Sequence, residues 1–310
     1  MTTPARPGRS LRAPHASHYV RERASHEGTP RSRLQLALAA RGLTPRKRFG
    51  QNFLIRDDLA DRIVDLCHIR PDDVVVEIGP GAGALTPKLA GRARMVVAVE
   101  KDRGLAEFLR EELEALPRIE IEEADFLEYD VAAAGARHDA ERVAVVGNIP
   151  YNITTPIIER LFEQRHAIRS AVLLVQKEYA ERLAAAAGTP EYGSLTLFVR
   201  YHALLEPLMT IKSSAFWPKP DVDSMLVRFI LRDHAPVQVP SEALLFRIIR
   251  GSFQMRRKQL LNTMEESLGT SKQMVTRICR QAAIAPERRG ETLTLDEFAR
   301  LARAAADHTS

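Results

Sequence analysis

One short stretch, Asn148-Ile149-Pro150-Tyr151, places three chemically distinct groups side by side directly after an apolar run. The side-chain oxygen of Asn148 and the backbone carbonyl of Pro150 could each accept one hydrogen of an exocyclic purine amine, which favours a pyramidal nitrogen with an available lone pair. Proline fixes φ and so helps to aim its carbonyl. Tyr151 could stack on a base that has left its own stack. These residue types predict a catalytic set of Asn148, Pro150 and Tyr151 for group transfer to a base amine.

A glycine-rich turn upstream, in VVVEIGPGAGALT (74–86), predicts where a nucleotide-like cofactor binds. Gly79, Gly81 and Gly83 let the backbone approach a ligand closely, and the helix that follows offers free N–H groups. Read from Gly79, the spacing also matches G-x-G-x-x-A, which is the fingerprint of dinucleotide binders.

Three acidic residues favour S-adenosylmethionine over a dinucleotide as the ligand of this turn. Glu77 precedes the glycines, and Asp125 follows the third strand, where it could accept from an adenine amine. Glu100 ends the second strand and could accept from both ribose hydroxyls, although NAD binders share this feature. Because the chain shows no obvious acid/base constellation for hydride transfer, we interpret the site as one for methyl transfer.

The elements that must position these residues alternate between strand and helix along the first two thirds of the chain. Apolar runs such as DVVVEIG, MVVAVE, VAVVGN and AVLLVQ predict buried strands, and amphipathic stretches between them predict helices. This alternation indicates a parallel sheet whose carboxyl edge carries the ligand site. SMLVRFIL alternates and predicts a late antiparallel strand, and the pattern after DHAPVQVPS is purely helical.

This pattern predicts an α/β chain with a Rossmann-like methyltransferase domain and a small all-helical C-terminal domain. Residues 31–235 would form the first domain and residues 236–310 the second. Residues 1–30, rich in Pro, Arg, Ser and Gly, are predicted to be a disordered basic tail.

Charge is distributed unevenly along the chain. Residues 1–48 carry net charge +9, residues 49–154 carry −9, and residues 241–280 carry +5. A polyanionic partner would therefore meet the two ends of the chain and not the acidic middle. On one unbroken C-terminal helix, four basic residues would fall within an arc of about 100°. These predicted RNA-binding residues are Arg247, Arg250, Arg257 and Lys258, although Gly251 could interrupt the helix.

Composition excludes several classes of protein. The apolar runs are too short to span a membrane, and the N-terminus has no apolar core of a signal peptide. Two distant cysteines, Cys67 and Cys279, fit buried reduced thiols. We therefore expect a cytoplasmic protein with no resident metal.

Six segments together resemble the ribosomal RNA adenine N6,N6-dimethyltransferases, in the branch that acts on small-subunit (16S-type) rRNA. They occur in the order KRFGQNFL, EIGPGAGALT, GNIPYNITTP, QKEYAERL, FWPKPDVDS and QMRRKQLLN. The resemblance covers about residues 31–305. It implies transfer of two methyl groups to N6 of each of two adjacent adenosines in a stem-loop near the 3′ end of that rRNA, using four S-adenosylmethionine molecules.

The resemblance also implies roles for individual residues. Cofactor contacts would come from Asn52, Leu54, Gly79, Glu100, Asp125 and Asn148, with Gln51 and Asn52 near the methionine end. Phe216 would sandwich the target base opposite Tyr151. The implied partner is small-subunit rRNA within a pre-assembled small ribosomal subunit, bound by a monomer. This sequence departs from the family in Trp217-Pro218-Lys219 and in the length of its basic tail.

Two other functions remain open at this point. A large-subunit (23S) rRNA adenine methyltransferase of the macrolide-resistance type would share the fold, the cofactor and the pocket. A non-catalytic RNA-binding factor on the same fold would not need Asn148, Pro150 and Tyr151, which are intact here.

Overall fold

A seven-stranded mixed sheet forms the centre of the computed structural model, which describes residues 30–46, 49–255 and 257–308. The strands are β1 (Phe53–Leu54), β2 (Val74–Ile78), β3 (Met95–Glu100), β4 (Ile119–Glu123), β5 (Val143–Asn148), β6 (Ile168–Gln176), β7 (Ala203–Ile211), β8 (Phe216–Trp217) and β9 (Ser224–Leu231). In the central sheet they lie in the order β4-β3-β2-β5-β6-β9-β7. A separate two-stranded ribbon joins β1 to β8.

Strands β2 to β6 pair in parallel, as the alternation of strands and helices along the sequence predicts. All five residues of β2 are buried. The expected late antiparallel strand is β9, which pairs antiparallel with both β6 and β7. Edge strand β7 was not predicted from the sequence, because it is half-exposed, contains Pro207 and changes register between Pro207 and Met209.

Helices connect the strands and then continue alone to the end of the described chain. They are α1 (Pro30–Ala39), α2 (Asp57–Leu66), α3 (Thr86–Ala90), α4 (Arg103–Leu113), α5 (Val131–Ala136), α6 (Thr154–Glu163), α7 (Lys177–Ala184), α8 (Ser194–His202), α9 (Glu242–Gln254), α10 (Leu260–Leu268), α11 (Lys272–Gln281) and α12 (Leu295–Ala306). The predicted fold class, α/β with a helical C-terminal region, is confirmed.

Apolar side chains from both faces of the sheet and from the C-terminal helices form three main clusters. One sheet face packs against α5 and α6, and the other against α2 and α3. The third cluster is formed by the four C-terminal helices, α9, α10, α11 and α12, together with Leu197 and Tyr201 of α8. Val199 of α8 packs instead in the cluster on one face of the sheet.

The C-terminal basic stretch is divided between two helices. Helix α9 ends at Gln254 and α10 begins at Leu260. Arc positions calculated for one continuous helix are therefore wrong beyond Gln254. At the start of α10 the N–H of Leu260, which has no acceptor inside the helix, donates to the carbonyl of Arg288 at 2.8 Å.

Gly251 does not interrupt α9, contrary to the alternative that the sequence left open. It provides room for α10, because a Cβ built at this position would lie 2.3 Å from the Cβ of Ser267. The last strand ends at Leu231 and the first C-terminal helix begins at Glu242. The predicted basic tail falls almost wholly outside the described residues, which begin at Pro30.

None of the helices that the structure describes combines the length and the apolar character needed to cross a membrane.

Candidate active site

A cavity of about 270 Å³ opens at the carboxyl edge of the parallel strands. It lies where the chain turns from β2 to β3 on one side and from β5 to β6 on the other, the position at which open α/β sheets bind ligands. Eleven of the predicted site residues line it together: Gln51, Asn52, Leu54, Glu77, Gly79, Gly81, Glu100, Asp125, Asn148, Pro150 and Tyr151.

The side-chain amide of Asn148, at the end of β5, has a defined orientation. Its nitrogen donates a hydrogen bond of 2.9 Å to the backbone carbonyl of Asn52. A carbonyl can only accept, so the NH₂ group must face Asn52. The side-chain oxygen of Asn148 is consequently the atom left for a ligand amine.

The backbone carbonyl of Pro150, two residues after Asn148, is the second predicted acceptor. It receives the N–H of Ile153 at 3.3 Å and the hydroxyl of Thr154 at 3.4 Å. The Thr154 hydroxyl has a single hydrogen and lies closer to the carbonyl of Tyr151, at 3.2 Å. Because a carbonyl oxygen has two lone pairs, Pro150 can still accept one hydrogen bond from a ligand.

Tyr151 is held at the mouth of this turn by its hydroxyl. The Tyr151 oxygen lies 2.6 Å from the hydroxyl of Ser224, the first residue of β9, which is fully buried. Burial raises the pKa of Tyr151, and the Ser224 hydroxyl opposes that rise. The phenol is thus neutral at physiological pH. Its ring is held at both ends, by the backbone and by the hydroxyl that contacts Ser224.

Glu100 is buried, with 6% of its surface exposed, and holds the glycine-rich turn to the sheet. One carboxylate oxygen accepts from the N–H of Gly81 at 3.0 Å, and the other accepts from the N–H of Asp102 at 2.8 Å. Burial raises its pKa, and these two N–H groups oppose the rise. Each oxygen keeps a lone pair, so the carboxylate could still accept from two vicinal hydroxyls.

Asp125 lies beyond the end of β4, on the far side of the cavity from Asn148. Burial alone would raise its pKa, but the Lys101 ammonium and the N–H of Leu127 hold the pKa below its usual value. Lys101 forms an ion pair with one carboxylate oxygen, and Leu127 donates to the other at 3.1 Å. Asp125 is therefore an ionised acceptor.

Glu77 is the most deeply buried acid of the cavity lining, with 2% of its surface exposed. Burial raises its pKa to about 8, and the Thr86 hydroxyl acts in the opposite direction. Neither the Oε2 atom of Glu77 nor the hydroxyl of Thr86 has a hydrogen-bond partner in good geometry among the described residues. A polar ligand group in the cavity would satisfy this buried oxygen, so the lining suits a cofactor that carries hydrogen-bond donors.

The glycine-rich turn needs its glycines for two separate reasons. Gly79 and Gly81 both have φ of +59°, in the left-handed region that side chains disfavour. A Cβ on Gly81 would also lie 3.0 Å from the Phe53 ring, whereas a Cβ on Gly79 would meet nothing within 4 Å. The turn therefore leaves open space beside Gly79, where a ligand can approach.

Gln51 lines the cavity, but both ends of its side-chain amide are occupied by protein atoms. Its nitrogen donates to Asp102 at 3.3 Å, and its oxygen accepts from the backbone N–H of Arg46 at 2.7 Å. The contacts of its side chain thus link Gln51 to Asp102 and to the backbone of Arg46, and its predicted contact with the cofactor stays a prediction.

Phe216 is the predicted site residue that the structure does not bring into the cavity lining. It is 3% exposed, pairs with Leu54 between β8 and β1, and packs against the sheet. In this conformation it presents no free face for a base.

The four predicted RNA-binding residues are all exposed and lie outside the cavity lining. Arg247 and Arg250 lie on α9, whereas Arg257 and Lys258 lie in the turn before α10. None of the four forms an ion pair with another described residue. They are therefore available to an anionic partner.

Several lining residues were not identified from the sequence. Phe49, Phe53, Lys101 and Phe126 all line the cavity. Phe49 and Phe53 lie within the segment KRFGQNFL, and their closeness in sequence to Gln51 and Asn52 could have indicated that they line the same cavity. The carboxyl-edge position of Lys101, directly after Glu100, could have marked the partner of Asp125.

The chain is similar to known proteins over most of its length. A family model described as "Ribosomal RNA adenine dimethylase" matches residues 42–302. The ribosomal RNA small subunit methyltransferase A of Geobacillus kaustophilus is 43% identical over 270 residues, which cover 86% of this chain and 92% of that protein.

Two solved structures are also similar. The 23S rRNA methyltransferase ErmE is 28% identical with a TM-score of 0.63, covering 82% of this chain and 99% of that chain. A dimethyladenosine transferase from Plasmodium falciparum is 25% identical with a TM-score of 0.67, covering 79% of this chain and 94% of that chain.

Proposed function

The chain belongs to the ribosomal RNA adenine dimethylase family, and from this we propose that it dimethylates N6 of two adjacent adenosines in small-subunit rRNA with S-adenosylmethionine. The target would lie in a stem-loop near the 3′ end of that RNA. The single observation that carries the chemistry is the hydrogen bond from Asn148 to the Asn52 carbonyl, because it leaves an acceptor oxygen at the cavity.

The lining residues fit S-adenosylmethionine by their donor and acceptor chemistry. Glu100 would accept from the ribose hydroxyls, Asp125 would accept from the adenine amine, and the open space beside Gly79 would admit the ligand. The unpartnered oxygen of Glu77 would meet a polar group. When bound, S-adenosylmethionine supplies an electrophilic methyl group on a sulfonium.

The protein's part in the transfer is to prepare the amine of the target base. In the first transfer the Asn148 side-chain oxygen and the Pro150 carbonyl would each hold one N6 hydrogen, which favours a pyramidal nitrogen whose lone pair faces the methyl group. In the second transfer the one remaining hydrogen would be held by one of these two acceptors. Tyr151 would stack on the base. Such fixed acceptors act by positioning and by hydrogen bonds that strengthen in the transition state. No strong general base is needed, because the methylated ammonium product is acidic.

The small subunit is favoured over the large subunit as the target. The relative named for the small subunit is 43% identical to this chain, whereas the 23S rRNA methyltransferase ErmE is 28% identical. The family relationship, together with the intact Asn148, Pro150 and Tyr151, also weighs against a non-catalytic RNA-binding factor.

The finer features of the partner are part of the same proposal. We propose that a monomer acts in the cytoplasm on rRNA within a pre-assembled small subunit, and that Arg247, Arg250, Arg257 and Lys258 contact its phosphates. The exposure of these side chains and their lack of ion pairs within the described residues support this proposal.

The proposal is tested by supplying labelled S-adenosylmethionine together with unmethylated small subunits, unmethylated large subunits or protein-free small-subunit rRNA. Mass spectrometry of nuclease digests then locates the labelled nucleosides. Dimethyladenosine at two adjacent positions in assembled small subunits is the expected product. Label confined to large subunits would refute the target assignment, and efficient labelling of protein-free rRNA would refute the need for assembly.

A further inference from the structure

Asp102 is a buried carboxylate, 4% exposed, that stands two residues beyond Glu100 at the start of α4. Its backbone N–H donates to Glu100 at 2.8 Å, and its side chain caps α4 by accepting from the N–H of Gly104 at 3.0 Å. These two bonds hold the cofactor acceptor and the helix in fixed relation to each other.

The same carboxylate also reaches across to the N-terminal segment, more than fifty residues away in sequence. It accepts from the side-chain nitrogen of Gln51 at 3.3 Å and from the guanidinium of Arg46 at 3.2 Å. Gln51 accepts in turn from the backbone N–H of Arg46 at 2.7 Å. Two residues that flank the start of the cavity lining are thus tied to one buried anchor.

The residue that follows Gln51 supplies the carbonyl that orients the catalytic amide. Asn52 accepts from the Asn148 side chain, and the Asn52 side chain donates to the carbonyl of Gly50 at 3.1 Å. If the Asn52 carbonyl moved away, the amide of Asn148 would lose the partner that distinguishes its nitrogen from its oxygen. A rotated amide would present its NH₂ group to the amine of the target base, and two donors do not form a hydrogen bond with each other.

We propose that Asp102 is a positioning residue for methyl transfer, acting through Gln51 and the Asn52 carbonyl on the orientation of the Asn148 amide. This inference rests on the proposed function, in which the Asn148 oxygen accepts from the target amine. It adds that the residue whose backbone N–H binds Glu100 also orients the catalytic acceptor through its side chain, so the cofactor side and the base side of the cavity are held by one residue.

The test uses Asp102→Ser, which keeps a hydroxyl to cap α4 but is too short to reach Gln51 or Arg46. Gln51→Met removes the same link from the other side and serves if Asp102→Ser fails to fold. Asp130→Ser is the matched control, because Asp130 caps α5 through the N–H of Ala133 and lies outside the cavity lining. Each change is made in the full chain and again in the Asn148→Ala background.

We expect Asp102→Ser and Gln51→Met to lower kcat by roughly tenfold to a hundredfold, with little change in the KM for small subunits, as a misplaced catalytic group would. In the Asn148→Ala background the same changes should have almost no further effect on kcat. Asp130→Ser should leave kcat unchanged in both backgrounds.

An equal loss of kcat with and without Asn148 would overturn the proposal, because Asp102 would then act independently of the amide. Wild-type kcat in both link variants would overturn it as well, and would mean that the β1–β8 pairing alone holds Asn52. If Asn148→Ala itself methylates normally, the proposed two-acceptor chemistry fails, which is a separate outcome.

Discussion

The hydroxyl of Tyr151 lies 2.6 Å from the hydroxyl of Ser224, and Ser224 has no exposed surface. Tyr151, which lies three residues beyond the end of β5, is therefore bonded to the first residue of β9. Because Asp223, next to Ser224, accepts from Lys212 at 2.8 Å and from the N–H of Ser213 at 3.0 Å, the start of β9 is itself well held. The ring has little freedom to turn away from the cavity.

We expect Tyr151→Phe to retain most of the methylation rate, since the ring remains for stacking, whereas Tyr151→Ala should lose most of it. Ser224→Ala should lower the free energy of unfolding by about 1–3 kcal/mol, because it leaves the half-buried phenol without its partner. Methylation assays and chemical denaturation measure the two effects. Equal activity in Tyr151→Phe and Tyr151→Ala would rule out a stacking role.

Asn148→Ala should leave S-adenosylmethionine binding largely intact and reduce the methylation rate by roughly 10²–10³, as for loss of one oriented polar group. Calorimetry with the cofactor and single-turnover methylation of small subunits measure the two quantities. A folded variant that methylates at nearly the wild-type rate would end the two-acceptor mechanism.

Glu100→Ala should weaken S-adenosylmethionine binding by about 1.5–3 kcal/mol, the scale for hydrogen bonds to a charged group. Glu123→Ala is the matched control, because Glu123 pairs with Glu100 in register at the end of β4 but is exposed and outside the cavity lining. Calorimetric titration of both variants decides the matter. If the two bind alike, Glu100 has no direct contact with the cofactor.

Glu77 should make stability depend on pH. Burial raises its pKa to about 8 from the ordinary value of 4.5, so the folded protein keeps a proton that the unfolded chain releases. The stability of the folded protein is therefore not reduced by Glu77 below about pH 4.5, and it falls as the pH rises from there towards 8. Glu77→Gln should therefore raise the free energy of unfolding at pH 8 by an amount on the order of 1–3 kcal/mol, with little change at pH 5.

Denaturation without cofactor at both pH values measures this difference. Some pH dependence will remain, because burial also raises the pKa of Glu100. A Glu77→Gln curve parallel to the wild-type curve across pH 5–8 would show that Glu77 is ionised in the folded state.

Changing Arg247, Arg250, Arg257 and Lys258 to Gln should weaken small-subunit binding without altering S-adenosylmethionine affinity. Each phosphate contact that is lost should lower the slope of log K against log salt by roughly 0.7–0.9. Arg62, Arg70 and Arg118 provide a matched control, because they are exposed and lie on α2 or before β2 and β4, away from the carboxyl edge.

Deletion of residues 1–30 must be measured beside these variants, because that segment is also basic. If the deletion abolishes subunit binding while the quadruple variant keeps affinity and slope, the N-terminal segment is the RNA anchor.

The sequence predicted the strand ends of the cavity well, since neighbouring parallel strands must bring Glu77, Glu100 and Asn148 to one edge of the sheet. It could not predict that the Asn52 carbonyl orients Asn148, because these residues are 96 positions apart and the acceptor is backbone. A backbone group leaves no signature in side-chain types.

Two other features escaped prediction for physical reasons. After the break at Gln254, the N–H of Leu260 bonds to the carbonyl of Arg288, a distant contact that no local helix pattern contains. An aromatic side chain such as that of Phe216 can either stack on a base or pack in a core. The pairing of Phe216 with Leu54 between β8 and β1 places it in the core in this conformation.

Helix α8 has a consequence for any attempt to divide the enzyme. It contributes Val199 to the sheet core and Leu197 and Tyr201 to the C-terminal core, and the nearby Tyr192 hydroxyl donates to the carbonyl of Leu293 at 2.7 Å. A fragment that stops near residue 235 would keep every residue of the cavity lining, yet it would expose these apolar side chains to water. We therefore expect such a fragment to aggregate, and we expect an active form of the enzyme to need its C-terminal helices.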